Sequence, residues 1–271
     1  MGPIGIFDSG YGGLTVFREI AQKMPQYDYI YLGDNARAPY GIRSFEVIYK
    51  YTLECVERLF AMGCPLVVLA CNTASAKALR TIQQRDLERY SPKHRVLGVI
   101  RPTAEVIGAY SQTRSVGILA TTGTVVSASY PLEVEKFFPD VTVYQEACPL
   151  WVPLIENGEF NSPGADYFVQ KYIHQLLAQS DQIDSIVLGC THYPLMMDKI
   201  RAYTPPHIRL IEQGEIVANS LQKYLERHEW MDQLCSKNAT RTFYTTENEV
   251  NTADKVELFF GAAVKVEHIE I

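Results

Sequence analysis

The chain has 271 residues, 31 acidic and 25 basic, for a formal net charge of −6, and 47% of it is hydrophobic. That length fits one large or two ordinary domains, and the apolar content excludes a disordered chain. A pI of about 5.6 without a Lys/Arg cluster excludes nucleic acid or an anionic membrane as a partner held by concentrated positive charge.

No run of 18 or more apolar residues occurs and the N-terminus carries no basic leader, so a cytoplasmic protein without membrane association is expected. Short β-branched runs alternate with helix-period segments along the chain, which predicts an α/β fold with mainly parallel sheets flanked by helices. Strands are expected at 4–7, 29–32, 66–70, 96–100, 116–120, 141–146, 185–188, 208–212, 241–245 and 264–268. The first leads into Asp8-Ser9-Gly10-Tyr11-Gly12-Gly13 and a helix with apolar Leu14, Phe17 and Ile20. Ser44 is placed to cap a helix whose apolar face is Phe45, Ile48, Thr52, Val56, Leu59 and Phe60 and which stops at Gly63 before Pro65. Pro102 suits the first turn of another helix, and Ser162-Pro163 the start of one that runs to Gln179. The stretch 227–238 lacks periodicity and reads as a surface connection.

Two segments recur. Val67-Val-Leu-Ala-Cys71-Asn-Thr73 lines up with Ile186-Val-Leu-Gly-Cys190-Thr-His192, and Ile4-Gly-Ile-Phe-Asp8-Ser-Gly10 with Val116-Gly-Ile-Leu-Ala120-Thr-Thr122. The repeats predict two similar α/β domains related by pseudo-symmetry, residues 1–97 plus 208–271 carrying Cys71 and residues 98–207 carrying Cys190, with an active site in the cleft between them. Ligands of open α/β sheets bind beyond the carboxyl ends of the strands, where both cysteines lie.

A free thiol has a pKa of about 8.5 and needs help to ionise at neutral pH, and a helix N-terminus beside each sulfur supplies it. A single strand-end cysteine is more often a small buried hydrophobe, but recurrence in both halves beside Asn, Thr and His favours working thiols. Cys55, Cys64, Cys148 and Cys235 fall outside the pattern and are assigned to packing or indifferent surface. Cys190-Thr191-His192 lacks the ligand number of a zinc site, so no metal is expected. The glycine-rich loop after Asp8 departs from G-x-G-x-x-G and is a tight turn or a carboxylate-binding loop. His192 is a candidate acid for Cys190. Glu146, Asp34 and the Tyr40-Gly41 turn are each as readily structural as functional. Two thiols facing across a cleft suit racemisation, which needs a base on one face of the α-carbon and an acid on the other.

Asp8-Ser9-Gly10, Tyr40-Gly41, Cys71-Asn72-Thr73, Glu146-Ala-Cys-Pro-Leu-Trp-Val-Pro-Leu-Ile155 and Gly189-Cys190-Thr191-His192-Tyr193-Pro194 resemble the glutamate racemase family of the aspartate/glutamate racemase superfamily. The resemblance spans residues 4 to about 262. It implies a cofactor-independent isomerase that interconverts L- and D-glutamate for peptidoglycan, commonly as a homodimer. Cys71 would take the α-proton of D-glutamate with help from Asp8, and Cys190 that of L-glutamate with help from His192. Ser9, Tyr40, Gly41, Asn72, Thr73, Thr121, Thr124 and Thr191 would hold the substrate, with Glu146 close by. The family usually shows Ile-Asp-Ser where this chain has Ile211-Glu212-Gln213, a departure expected to lie away from the cysteines. A racemase of another acidic amino acid, a non-catalytic amino-acid-binding protein and a thiol redox protein are the alternatives.

Overall fold

The computed structural model describes residues 1–247 and 252–271. Through the first half run β1 (Ile4–Asp8), α1 (Gly13–Lys23), β2 (Tyr29–Gly33), α2 (Phe45–Ala61), β3 (Leu66–Leu69), α3 (Asn72–Lys77), the short α4 (Leu79–Thr81) and β4 (Arg95–Gly98). The chain then crosses into α5 (Ile100–Ile107), β5 (Ser115–Ala120), α6 (Thr122–Val126), α7 (Ser129–Phe137), β6 (Thr142–Ala147), α8 (Trp151–Glu156), α9 (Pro163–Leu177), β7 (Ser185–Gly189), α10 (Met197–Tyr203) and β8 (Arg209–Ile211). It returns through α11 (Gly214–Arg227), α12 (Glu229–Leu234), β9 (Arg241–Thr245), α13 (Ala253–Phe260) and β10 (Val266–His268).

All ten predicted strands form, and they pair in parallel throughout. The first sheet is ordered β10-β9-β2-β1-β3-β4 and the second β6-β5-β7-β8. The order β2-β1-β3-β4 thus recurs as β6-β5-β7-β8, which matches β1 with β5 and β3 with β7, the same pairs that the sequence repeats align. Each sheet reverses its strand order between those two central strands, and a crevice opens at such a switch point. β8 (Arg209–Ile211) pairs with β7 and so belongs to the second sheet.

Local sequence explains the element ends. Ser44 Oγ accepts from Val47 N–H at 3.4 Å to start α2, and Gly63 follows its end at φ +89°, a conformation open to glycine without strain. Phe45, counted with the apolar face, instead sits 43% exposed at the first helical position. The β4 strand stops at Gly98 because Ile100 already begins α5, with Pro102 in its first turn. Ser162 caps α9 through Ala165 N–H at 3.2 Å.

The stretch 227–238 is not a bare surface connection. It contains α12, buries Met231 and Cys235, and is tied to the N-terminus by Gly2 N–H to Leu234 O at 2.9 Å and Ser236 N–H to Gly2 O at 2.8 Å. Its apolar periodicity is faint because a six-residue helix buries only Met231. One apolar cluster continues through both halves, from Ile6 and Phe17 to Trp151 and Ile186.

Candidate active site

The two switch points converge. Beyond β3, Cys71 caps α3, its Sγ accepting from Ala74 N–H at 3.4 Å and lying 3.2 Å from Ser9 Oγ, which follows β1. Beyond β7, Cys190 Sγ lies 3.9 Å from His192 Nδ1, and His192 Nε2 is 2.9 Å from Glu156 Oε1. The thiols are 5% and 6% exposed, and the charge of Cys190 is among the groups acting on Cys71.

Burial pushes the Cys71 thiol up to about 12, with the Asp8 charge adding to it, while Ser9 and the Ala74 N–H pull the other way. The helix N-terminus therefore acts in the expected sense but loses to desolvation, so Cys71 is a thiol at neutral pH. Burial opposes charge on His192 too, yet the Cys190 sulfur and the Glu156 carboxylate outweigh it and raise His192 to about 10. Asp8, 1% exposed, is raised by burial against the pull of His192 and the Gly13 and Gly10 N–H groups. Its Oδ2 accepts from Gly10 N–H at 2.9 Å, and Oδ1 has no hydrogen-bond partner among the described residues.

Hydroxyls line the seam between the halves. Thr73 Oγ1 is 2.9 Å from Thr121 Oγ1, which is 3.2 Å from Thr124 Oγ1 and caps α6. Gly123 N–H donates to Gly41 O at 2.8 Å, and Thr15 Oγ1 to Thr191 O at 2.9 Å. Asp8, Ser9, Gly41, Asn72, Thr73, Thr121, Thr124, Thr191 and His192 are thus drawn to one place. The Tyr40 side chain packs inward on Phe7 and Tyr51, with its hydroxyl committed to the buried Asp34, which also pairs with Arg37 at 2.7 Å. Tyr40 is left only its main chain to offer a ligand.

Glu146 does not join this group. The pleat of β6 turns it toward the C-terminal end of α9, just beyond which Gln179 Nε2 donates to its Oε2 at 3.2 Å. The carboxylate beside His192 is Glu156, which sequence reasoning passed over. It lies on the buried side of α8 with Trp151, Val152 and Ile155, four residues beyond Val152, and a carboxylate at that helical spacing was the available signal. Gln213 corrects a second expectation. It is 3% exposed and its Oε1 accepts from Asn72 Nδ2 at 2.7 Å, next to Cys71. The four cysteines outside the repeat are all buried.

The model of the Asp/Glu/Hydantoin racemase family matches residues 8–221. A glutamate racemase of Persephonella marina is 37% identical, covering 99% of this chain and 97% of its own length. This chain belongs to the glutamate racemases of that family. Among solved structures, it is similar to a glutamate racemase of Bacillus anthracis at TM-score 0.90 and 29% identity, covering 100% of this chain and 98% of the other. It is also similar to the Francisella tularensis glutamate racemase in complex with D-glutamate, at TM-score 0.86 and 29% identity, with 99% and 97% covered. Among the described residues no helix is long and apolar enough to cross a membrane.

The His192–Glu156 pair gives this racemase a testable pH dependence. Against burial, the Cys190 sulfur and Glu156 raise His192 to about 10 in the folded protein from about 6.5 in the unfolded chain, so between those values the folded state holds a proton that the unfolded state has lost. The stabilisation is complete below about pH 6.5 and disappears as pH rises through about 10. The melting temperature should therefore fall more steeply from pH 7 to 10 in the wild type than in Glu156→Gln; parallel curves would refute the assignment.

Proposed function

We propose that the protein interconverts L- and D-glutamate without a cofactor, using Cys71 and Cys190 as the two bases. The observation that supports this most is that equivalent strand ends of two matching sheets each carry one buried thiol, and that the two lie close enough for Cys190 to act electrostatically on Cys71. In the L to D direction, Cys190 as thiolate breaks the α-C–H bond and becomes a thiol, while the Cys71 thiol gives its proton to the opposite face and becomes a thiolate. The reverse reaction restores both. Cys71 as a thiol at neutral pH suits the acid of the first step. His192 carries a proton beside Cys190, and Asp8 stands beside Ser9 and Cys71 to do the same there.

The carbanion is the costly species, and it is stabilised by donors aimed at the substrate carboxylates. These are the hydroxyls of Ser9, Thr73, Thr121, Thr124 and Thr191, the Asn72 amide and main-chain N–H groups near Tyr40 and Gly41. The set holds no Lys or Arg, so protonated His192 is its cation. An acidic protein thus binds an acidic amino acid through local donors rather than its overall field. The reading extends to a cytoplasmic homodimer supplying D-glutamate to peptidoglycan, as the family resemblance implies.

Incubation with L-glutamate in heavy water tests it. Optical rotation should decay to zero, and the first D-glutamate formed should carry deuterium at the α-carbon while the remaining L-glutamate does not. Unchanged rotation would sink the proposal.

A further inference from the structure

We propose that Gln213 is a positioning residue that fixes which way the Asn72 amide faces, and so presents an N–H of Asn72 to the substrate carboxylate beside Cys71. This rests on the glutamate racemase reading.

Asn72 Nδ2 donates to Gln213 Oε1 at 2.7 Å, Gln213 Nε2 donates to Tyr130 Oη at 2.7 Å, and Tyr130 Oη donates to Asn72 Oδ1 at 2.8 Å. The ring is buried, with Asn72 2%, Gln213 3% and Tyr130 0% exposed. Two amides and a hydroxyl closed on themselves could run in either sense, because a hydroxyl both donates and accepts and an amide can flip. The main-chain carbonyl of Val99 breaks the tie, since it can only accept. It takes the Thr103 hydroxyl at 3.0 Å and faces Gln213 Nε2 at 3.4 Å; Thr103 Oγ1, its proton used, accepts from the same Nε2 at 2.9 Å. Gln213 must therefore turn its nitrogen toward Val99 and Thr103 and its oxygen toward Asn72.

Asn72 in turn must present Nδ2, with one hydrogen used by Gln213 and the second left for a ligand. Serine, which the family resemblance leads one to expect here, has a hydroxyl that is short and indifferent to direction. Val99 and Gln213 also flank the two places where the chain crosses between the halves, so the Asn72 setting is referred to the junction itself.

The test measures kcat and KM for both enantiomers of glutamate in wild type, Gln213→Leu and Gln213→Glu. Leucine keeps the bulk and removes the polarity, whereas a glutamic acid, kept neutral by burial at this site, offers its carbonyl oxygen to Asn72 Nδ2 and an O–H to the Val99 and Thr103 side. A hydrogen bond to a charged group carries about tenfold or more in affinity. Gln213→Leu should raise KM about tenfold in both directions with kcat changed less than about threefold, and Gln213→Glu should return KM to within about threefold of wild type. Should the leucine variant not fold, Gln213→Asn, too short to reach both Asn72 and Thr103, takes its place. An unmoved KM, or equal impairment in the leucine and glutamate variants, overturns the inference. A wild type inactive on glutamate overturns the functional reading and the inference with it.

Discussion

Alanine at Cys190 is expected to abolish measurable racemisation, lowering kcat by about 10²–10⁴-fold while leaving the protein folded, because that is what a positioned base or acid contributes. Alanine at Cys71 should do the same. The two variants are predicted to differ in what survives. Cys190→Ala retains the base for D-glutamate, so slow exchange of its α-proton with heavy water should persist with retention of configuration, and L-glutamate should not exchange. Cys71→Ala should show the mirror result. Proton NMR of each enantiomer in heavy water reads this, and a circular dichroism melt checks the fold. Racemisation persisting in either variant, or exchange of both enantiomers in one of them, would refute the assignment of one thiol to each face.

Gly12→Ala is predicted to be nearly as damaging, although Gly12 touches no reacting atom. Its backbone is ordinary, with φ −56° and ψ −37°, so conformation is not the reason for glycine. Space is. A Cβ there would collide with His192 Nδ1 and lie 2.5 Å from Thr191 Oγ1 and 2.6 Å from His192 Cε1. The imidazole cannot swing aside freely, being held by Glu156 on one edge and packed edge-on against Phe259 at 5.2 Å. Either α1 retreats or His192 leaves Cys190, and a shift of about 1 Å in a catalytic group costs about 100-fold. We expect kcat to fall by at least that factor. Gly164→Ala, where a Cβ meets nothing nearer than 3.5 Å, serves as the control and should leave turnover unchanged. Full activity in Gly12→Ala would show that His192 is not needed where it stands.

Strands were readable because each sheet buries its central members on both faces, as in β1, β3, β5 and β7, and such runs are continuous in sequence. The repeat then exposed two similar halves, whereas the matching strand order came only with the structure. What escaped was set by side-chain direction and by contacts distant in sequence. Glu146 sits at a strand end as the spacing argument required, but alternation along β6 sends it to the wrong side, and only the path of α8 brings Glu156 to His192. Gln213 lies 141 residues from Asn72, and no local pattern announces that two chain crossings will bring them together. The short α12 escaped because it carries too few residues to show a period.

The two thiols stand in unlike company, Cys71 with the Ser9 hydroxyl and Asp8, Cys190 with an imidazole backed by a carboxylate. Enantiomers have equal free energies in an achiral solvent, so their equilibrium constant is one whatever the catalyst. The Haldane relation then forces kcat/KM to be identical in the two directions, however lopsided the pair of half-sites. Their difference can surface only in how each direction divides that ratio between turnover and saturation, and the enzyme alone cannot drive its pool past an even mixture.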